Sequence, residues 1–317
     1  MKKIAIALVL SLSILTPVFS QDSLVNGRTP RVTIKWLDPA PQPNRTRTVA
    51  LAGTIGGLYT ISMAWLYTQW YQDYPLTNFH TFDDRYEWEQ MDKFAHAWDA
   101  YSIAKPVSQT FRWAGYGNKR SAWYGAGVAF LFQTTVEVFD GFSEEWGFSS
   151  SDMLANTIGT GLFLSQQLTW EEQRVVLKYS FHTTTYAQYR PDVLGSTIPE
   201  RILKDYNGLT YWASVNPASF LKSTDIHLPA WLSLAVGFGA EGMTGGESNP
   251  NEVDGQALPS FNRYRQYYVG IDFDLARIKT KNRFLKDLFS IINIVHLPAP
   301  ALELAPGRKP RWHALYF

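Results

Sequence analysis

Residues 174–183 read RVVLKYSFHT, and their apolar side chains fall on every second position. Val175, Leu177, Tyr179 and Phe181 therefore share one face of an extended chain, because side chains alternate between the two faces of a β-strand. Helical patterns precede this stretch, whereas alternation recurs several times after it. The stretch divides the chain near residue 170 into a helical half and a strand-rich half.

The strand-rich half contains five further predicted strands. The clearest one places Tyr267, Val269, Ile271, Phe273 and Leu275 on one face. The other predicted strands cover 208–215, 232–238, 301–305 and 312–317, and helices are predicted at 198–206 and 282–295. The expected fold class is α+β: an N-terminal, bundle-like domain of about four helices, followed by an antiparallel β-sheet or partial β-barrel with one or two helices.

The helical half begins with a run of uncharged residues, 49–71. It is long enough to cross a bilayer, but its glycines and hydroxyl groups are equally compatible with a buried or half-embedded helix. The second predicted helix, 83–108, is expected to end near Lys105 and Pro106, because proline disfavours helix continuation. Its Asp99 and Lys105 are expected to face solvent.

Two more helices complete this half. The third is predicted at 121–139. Ser149 is expected to cap the fourth, which runs to about residue 168, and Asp152 occupies the position that could complete a capping box.

Polar side chains interrupt the apolar helices at spacings of three or four residues. Such spacings place both members of a pair on one helix face, so we expect these side chains to point to a common place. The residues are Asp92, Lys93, His96, Glu137, Asp140, Asp152 and Asn156.

Three interpretations of this cluster remain open. The first is a structural network, because packed helices satisfy buried carboxylates by bonding them to His, Lys or Asn. The second is a ligand or divalent metal site at His96, Glu137, Asp140 and Asp152, a donor set that suits Zn, Mn or Fe. The third is general acid–base catalysis beside such a metal. Lys93 weakens the metal interpretation, because it could neutralise a carboxylate itself.

The N-terminus has the pattern of a signal peptide at residues 1–20. Lys2 and Lys3 precede an apolar run, 4–15, that is too short for a comfortable membrane span. Residues 21–47 are polar and proline-rich, and they are interpreted as a linker. The predicted domains are then 48–170 and 171–317. We expect export to the outer membrane or the periplasmic face of a bacterial envelope.

The amino-acid composition excludes several kinds of site and partner. The 317 residues contain no cysteine, which excludes disulfides, thiolate metal sites and lipoprotein acylation. A net charge of +1 gives no electrostatic footprint for nucleic acid. Charged residues reach only 18%, whereas aromatic residues reach 15% and include 12 Trp. This balance favours membrane lipid as a partner, because Trp and Tyr prefer membrane interfaces.

The order of the polar motifs carries a family resemblance over about residues 88–165. The motifs are Asp92-Lys93-x-x-His96, Glu137-x-x-Asp140, Gly147-Phe148-Ser149, and Asp152 followed by Asn156 and Gly159. In these motifs the chain resembles the YfiM-like domain of predicted periplasmic lipoproteins and, more distantly, VanZ-like membrane proteins. The resemblance implies a small helical envelope domain and no established reaction. The missing lipobox cysteine means that acyl anchoring is not carried over.

The C-terminal half resembles the extension of longer, Bacteroidetes-type members of the same group. The strings that carry this resemblance are Tyr206-Asn207-Gly208, Ile271-Asp272-Phe273-Asp274-Leu275 and residues 298–303. The last residues, 312–317, alternate and finish on Phe317, as do the strands that outer-membrane proteins present to their assembly machinery. Residues 283–292 can form a basic amphipathic helix on an anionic membrane, or a core helix with a solvated basic end.

Together these features predict a membrane-associated envelope protein with a structural or assembly role rather than an enzyme. The alternative is a metal-assisted hydrolase acting on a phosphorylated or glycan envelope substrate. It requires His96, Glu137, Asp140 and Asp152 to converge where substrate can reach them.

Overall fold

The computed structural model describes residues 38–71, 74–253 and 255–317. Four long helices come first, as the helical pattern of the N-terminal half predicts. A π-helical turn, Tyr67–Tyr71, follows the first, and a 3₁₀ turn, Glu87–Gln90, precedes the second. The long helices are α1 (Arg45–Leu66), α2 (Met91–Trp113), α3 (Asn118–Gly141) and α4 (Ser150–Thr169).

Helix α2 is the centre of the helical half, and α3 and α4 pack along it. Most of its side chains are buried, including polar ones. Glycines allow this close approach. A Cβ atom on Gly125 of α3 would lie 2.4 Å from the Ala104 carbonyl oxygen, and one on Gly159 of α4 would lie 2.1 Å from the Ala97 carbonyl oxygen.

The predicted end of the second helix is wrong, because α2 continues through Pro106 to residue 113. An internal proline removes one helical hydrogen bond and costs about 3 kcal/mol. Burial of Ile103 and Val107 on either side offsets that cost. The predicted solvent exposure of Asp99 is also wrong, since this side chain is buried, and Lys105 lines a cavity.

The strand-rich half follows in chain order. In the described chain, six strands form an antiparallel sheet in the order β1-β2-β3-β6-β7-β8. The short strands β4 (Glu252–Val253) and β5 (Gln256–Ala257) pair separately. The sheet strands are β1 (Val175–Phe181), β2 (Leu209–Val215), β3 (Leu232–Glu241), β6 (Tyr264–Phe273), β7 (Ala299–Leu304) and β8 (Arg311–Tyr316).

Four helices connect these strands. The most amphipathic is α8, which lies between β6 and β7 and exposes Phe284. Phe284 lies at the basic end of this helix, so its exposure fits both interpretations given for residues 283–292. The connecting helices are α5 (Pro191–Leu194), α6 (Ile198–Lys204), α7 (Pro217–Phe220) and α8 (Arg283–Ile292).

The two faces of the six-stranded sheet differ in polarity. Leu234 and Val236 of β3 pair with Ile271 and Val269 of β6, and these apolar side chains are exposed. The opposite face carries buried polar residues. The sheet curls around that polar face, because its outer strand reaches back across it.

Contacts between β8 and β2 define this curvature. The hydroxyl of Tyr316 on β8 lies 3.0 Å from Thr210 Oγ1 on β2. The Tyr316 ring also packs edge-on against Trp212. The polar face is thus closed over itself.

Aromatic stacking joins the two halves. On α2, Phe94 stacks on Phe238 of β3 at 4.2 Å between ring centroids, and Trp98 packs against Tyr179 of β1 at 4.6 Å. Helix α2 therefore covers the apolar face of β1, β2 and part of β3, and leaves the remaining strands uncovered.

The α+β class and the antiparallel sheet are confirmed, and each of the six predicted strands lies in the sheet. The predicted signal peptide and most of the linker, 21–47, lie outside the described residues; α1 begins within that linker, at Arg45. Within the described ranges, α1 is the one helix whose length and composition would allow it to cross a membrane.

Candidate functional site

Polar side chains from α2, α3 and α4 meet at the N-terminal end of α2. Lys93 and His96 project from its first turns, and side chains near the end of α3 and the start of α4 face them. This group is named the polar seam. Its members are Asp84, Asp92, Lys93, His96, Gln133, Glu137, Asp152 and Asn156.

Lys93 binds three carboxylates of the seam. Its Nζ lies 2.7 Å from Asp84 Oδ2, 2.7 Å from Asp152 Oδ1 and 3.0 Å from Asp92 Oδ2. An ammonium group has three N–H donors, so these carboxylates use all of them. Lys93 is thus the resident cation of the seam.

His96 links the other side of the seam. Its Nδ1 lies 3.0 Å from Asn156 Oδ1, and Gln133 Nε2 donates to the same oxygen at 3.2 Å. A carbonyl oxygen only accepts, so His96 Nδ1 carries a proton. The other ring nitrogen, Nε2, faces two carboxylates, at 3.3 Å from Asp152 Oδ2 and 3.5 Å from Glu137 Oε1.

The start of α4 is held by the seam. Ser149 caps the helix as predicted, and its Oγ accepts a hydrogen bond from the Asp152 backbone N–H at 3.1 Å. The predicted capping-box role of Asp152 is wrong, however. Glu137 Oε2 binds the Ser149 backbone N–H at 3.3 Å, and the Asp152 carboxylate turns to Lys93 and His96 instead.

Asp140 makes a different contact. Its Oδ1 accepts a hydrogen bond of 2.6 Å from the Tyr71 hydroxyl, in the turn that follows α1. Burial raises the pKa of Tyr71, and the negative charge of Asp140 raises it further. Asp140 therefore holds the end of α1 against α3.

Tyr206 connects the seam to the strand-rich half. Its hydroxyl donates a hydrogen bond of 2.9 Å to Asp92 Oδ1, and both side chains are buried. Burial and the nearby Asp92 carboxylate raise the pKa of Tyr206, so the hydroxyl remains a donor. The indole of Trp88 packs on the same phenol ring at 5.6 Å.

A strained turn leads into α2. Trp88, Glu89 and Gln90 all have positive φ angles, of 49°, 51° and 72°. Side chains other than glycine rarely adopt this conformation, which costs about 1–3 kcal/mol per residue and persists only where surrounding contacts enforce it. Glu89 supplies such contacts, because Arg263 and Arg265 lie 3.2 and 3.3 Å from its carboxylate.

Negative charge predominates in the seam. Asp84, Asp92, Glu137 and Asp152 face one ammonium group and one imidazole. The effect reaches Glu87, whose pKa is raised to about 7 by burial and by the charges of Asp92 and Asp84. The excess negative charge would be offset if a seam carboxyl group were protonated or if a cation were bound there.

The seam coincides with the segment that is similar to a known family. Residues 81–166 match the model of a family described as a predicted periplasmic lipoprotein (DUF2279). The match includes all eight seam residues. No curated protein and no solved structure matches the chain.

This description agrees with the envelope localisation expected from the sequence. The matched segment covers about a quarter of the chain and ends before the six-stranded sheet. The YfiM-like, VanZ-like and Bacteroidetes-type resemblances remain predictions.

Six of the seven predicted site residues lie in the seam, and Asp140 binds Tyr71 instead. The sequence analysis missed Asp84, Gln133 and Tyr206. Gln133 lies one helical turn before Glu137, so its spacing could have revealed it. Tyr206 belongs to the other half, and no local pattern relates it to Asp92.

Proposed function

We propose that this protein is a membrane-associated, non-enzymatic envelope protein in which the polar seam holds the helices together. One observation carries the proposal: both halves expose large apolar side chains while they bury clusters of charged and polar side chains. A large exposed apolar surface marks a site of contact with protein or membrane.

The helical half shows this combination of exposed apolar and buried polar side chains clearly. Ile61 on α1 is 66% exposed, Leu131 on α3 is 59% exposed and Leu154 on α4 is 61% exposed. The seam lies between α2, α3 and α4 and is almost inaccessible. Ionisable residues that face the interior of a helix bundle are typical of proteins in lipid.

The sheet repeats the same arrangement. Trp312 and Leu315 on β8 are 66% and 67% exposed, and Leu234 and Val269 are also exposed. Lys178 and Asp272 on the opposite face are fully buried. Apolar residues toward lipid and polar residues toward the interior are the alternation of membrane-embedded strands.

Fractionation tests this proposal. Wild-type protein is expected to stay with membranes through carbonate extraction and to float with lipid vesicles. The variant Leu131→Glu/Leu154→Glu is expected to lose most of this retention, since both charges would lie on the outward helix faces. The matched control Ile226→Glu changes an exposed apolar residue in the loop after α7. Recovery of folded wild-type protein in the soluble fraction would refute the proposal.

We further propose the outer membrane as the location and its assembly machinery as a partner. The exposed Phe317 directly follows β8, the edge strand of the sheet, which supports this partner. Deletion of Phe317 is expected to reduce outer-membrane recovery in density-gradient fractionation while leaving total synthesis unchanged. Wild-type protein found solely in inner-membrane fractions would contradict this part.

Divalent metal binding is a second candidate function. Ligand atoms of Asp92, His96 and Asp152 all lie within 4.8 Å of one another, and His96 Nε2 faces this space while Nδ1 is held by Asn156. One imidazole with carboxylates suits Zn, Mn or Fe. A metal would have to compete with the Lys93 ammonium.

Metal analysis decides this point. Protein purified without chelators would contain stoichiometric metal by elemental mass spectrometry, and Asp152→Asn would lose it. Metal-free protein that keeps its thermal stability would remove this candidate. The hydrolase alternative has less support, because His96 and Asp152 are only 2% and 3% exposed and so lie beyond the reach of a bulky substrate.

A further inference from the structure

A cavity of about 780 Å³ lies far from the first turns of α2 that carry the seam. The C-terminal half of α2 forms one wall, and the end of α4 forms another. The segment between β6 and α8 closes the third side. Seven of the lining side chains are cationic, and three are acidic.

The acidic groups of the cavity are already neutralised in part. Glu172 forms ion pairs with Lys222 at 2.8 Å and with Arg277 at 3.6 Å. Asp274 accepts from Arg277 at 2.9 Å and from Asn293 Nδ2 at 3.0 Å. These acids therefore do not balance the remaining cations.

Two of those cations, Lys105 and Arg112, lie on one face of α2, about two helical turns apart. Within the described ranges, the side chains of Lys105 and Arg112 form no hydrogen bond or ion pair with another residue. The negative charges of Asp274 and Glu171 act on Lys105 and Arg112, respectively, and raise the pKa of each, against the larger lowering by burial. Both side chains are partly buried, and this burial lowers the pKa of Lys105 and of Arg112.

The rim of the cavity adds further positive charge. Lys279 and Lys281 are exposed and lie in the segment that follows β6. Below them, Ser108 and Gln109 of α2 provide neutral polar groups. Excess positive charge in a concave, partly dry site concentrates the field and attracts anions.

We propose that this cavity binds the phosphate group of a phosphate-bearing ligand. Arg112 presents a planar pair of donors that suits two phosphate oxygens, and Lys105 supplies a compact charge beside it. A carboxylate would satisfy one of these cations, whereas a doubly charged phosphate satisfies both. The ligand is either a soluble phosphate compound or the headgroup of an anionic lipid.

The double variant Lys105→Gln/Arg112→Gln tests the site in the full-length protein. Without ligand it is expected to melt at a higher temperature than wild type, since it removes two desolvated charges. Its affinity for phosphate is expected to fall at least tenfold. The control Lys119→Gln/Arg120→Gln makes the same charge change at exposed positions of α3 outside the cavity.

Two measurements distinguish the two ligand sources. Isothermal titration calorimetry uses inorganic phosphate, and flotation uses phosphatidylglycerol vesicles. Phosphate binding that the cavity variant loses and the control keeps supports a site for the phosphate group itself. A preference for phosphatidylglycerol over phosphatidylcholine vesicles that is lost in the same pattern, without affinity for free phosphate, supports a lipid headgroup. Phosphatidylcholine vesicles control for apolar contact.

A rim variant keeps the test decisive if the buried substitutions alter folding. Lys279→Gln/Lys281→Gln changes only exposed side chains and is expected to weaken the same binding about threefold. The proposal is wrong if wild-type protein binds neither phosphate nor phosphatidylglycerol vesicles. It is also wrong if the cavity variant and the rim variant both bind as well as the α3 control. Membrane association tested above does not depend on this outcome.

Discussion

Each half of the molecule brings together a lysine, an aspartate and a histidine, but the charges of the two groups are balanced differently. In the sheet, Lys178 Nζ lies 2.7 Å from Asp272 Oδ2, and His296 Nδ1 lies 2.9 Å from Asp272 Oδ1. Ser214 also donates to Asp272. This group is named the sheet network. It places one carboxylate between two basic side chains, whereas the polar seam places four carboxylates around two.

The two groups shift the pKa values of nearby carboxyl groups in opposite directions. Burial alone would raise the pKa of Asp272, yet His296, Lys178 and Ser214 hold it below its usual range. Glu87, beside the seam, shows the opposite shift, to about 7. The charge of the sheet network is thus balanced by its own side chains, whereas the seam depends on protons, a cation or its neighbours for charge balance.

The largest effect is expected from removing each lysine in turn. Lys93→Met leaves three carboxylates without their shared ammonium, and we expect the free energy of unfolding to fall by about 5 kcal/mol. Lys178→Met leaves Asp272 with His296 and Ser214, and the expected loss is about 3 kcal/mol. Urea denaturation followed by tryptophan fluorescence measures both. Equal losses would show that the two groups do not differ in charge balance.

A smaller loss of stability is expected when the close spacing of α2 and α4 at the seam is changed. In Gly159→Ala, the new Cβ atom would lie 2.1 Å from the Ala97 carbonyl oxygen, so α4 must move away from α2. We expect a loss of about 2 kcal/mol. Gly161→Ala is the matched control, because no atom lies within 4 Å of its Cβ position. A neutral Gly159→Ala would mean that the close crossing is not required.

The link between the halves is tested by Tyr206→Phe. This change removes the hydrogen bond to Asp92, and hydrogen bonds to charged groups contribute about 1.5–3 kcal/mol. We expect a loss near the lower end, about 1.5 kcal/mol, in the same denaturation assay. Tyr267→Phe removes a hydroxyl from the exposed face and is expected to change nothing. An equal effect of both variants would remove Tyr206 from the seam's support.

The smallest effect concerns pH. The pKa of Glu87 is about 7 in the folded protein, against 4.5 ordinarily, so the folded state holds this proton more tightly than the unfolded state. Its contribution to stability is therefore greatest below pH 4.5 and is lost as pH rises to about 7. Glu87→Gln is expected to raise stability at pH 8, by about 1 kcal/mol or less after screening by solvent, and to be neutral at pH 4.

Melting temperatures of the Glu87→Gln variant at the two pH values provide the check. Glu144→Gln, at an exposed position in the loop after α3, is the control. A stabilisation of the same size at both pH values would show that Glu87 is not the titrating group.

Local sequence patterns predicted the secondary structure well. Alternation located β1, β3, β6 and β8, and helical spacing located six seam residues, because both depend on which face of one element is buried. The end of α2 was missed, since burial around Pro106 outweighs a local preference. Asp84 and Tyr206 were missed because their contacts join distant segments, and the curvature that brings Tyr316 to Thr210 leaves no periodic signal.

The hydrogen bond between Tyr206 and Asp92 also bears on the order in which the protein folds. It joins residues 114 positions apart, and synthesis delivers α2 long before β2. Contacts between residues so far apart in the chain form slowly. During synthesis, the Asp92 carboxylate of the helical half therefore lacks the hydrogen bond from the Tyr206 hydroxyl. A chain stopped before residue 206 would therefore hold an incompletely satisfied buried carboxylate, and we expect such a fragment to be degraded readily rather than to accumulate.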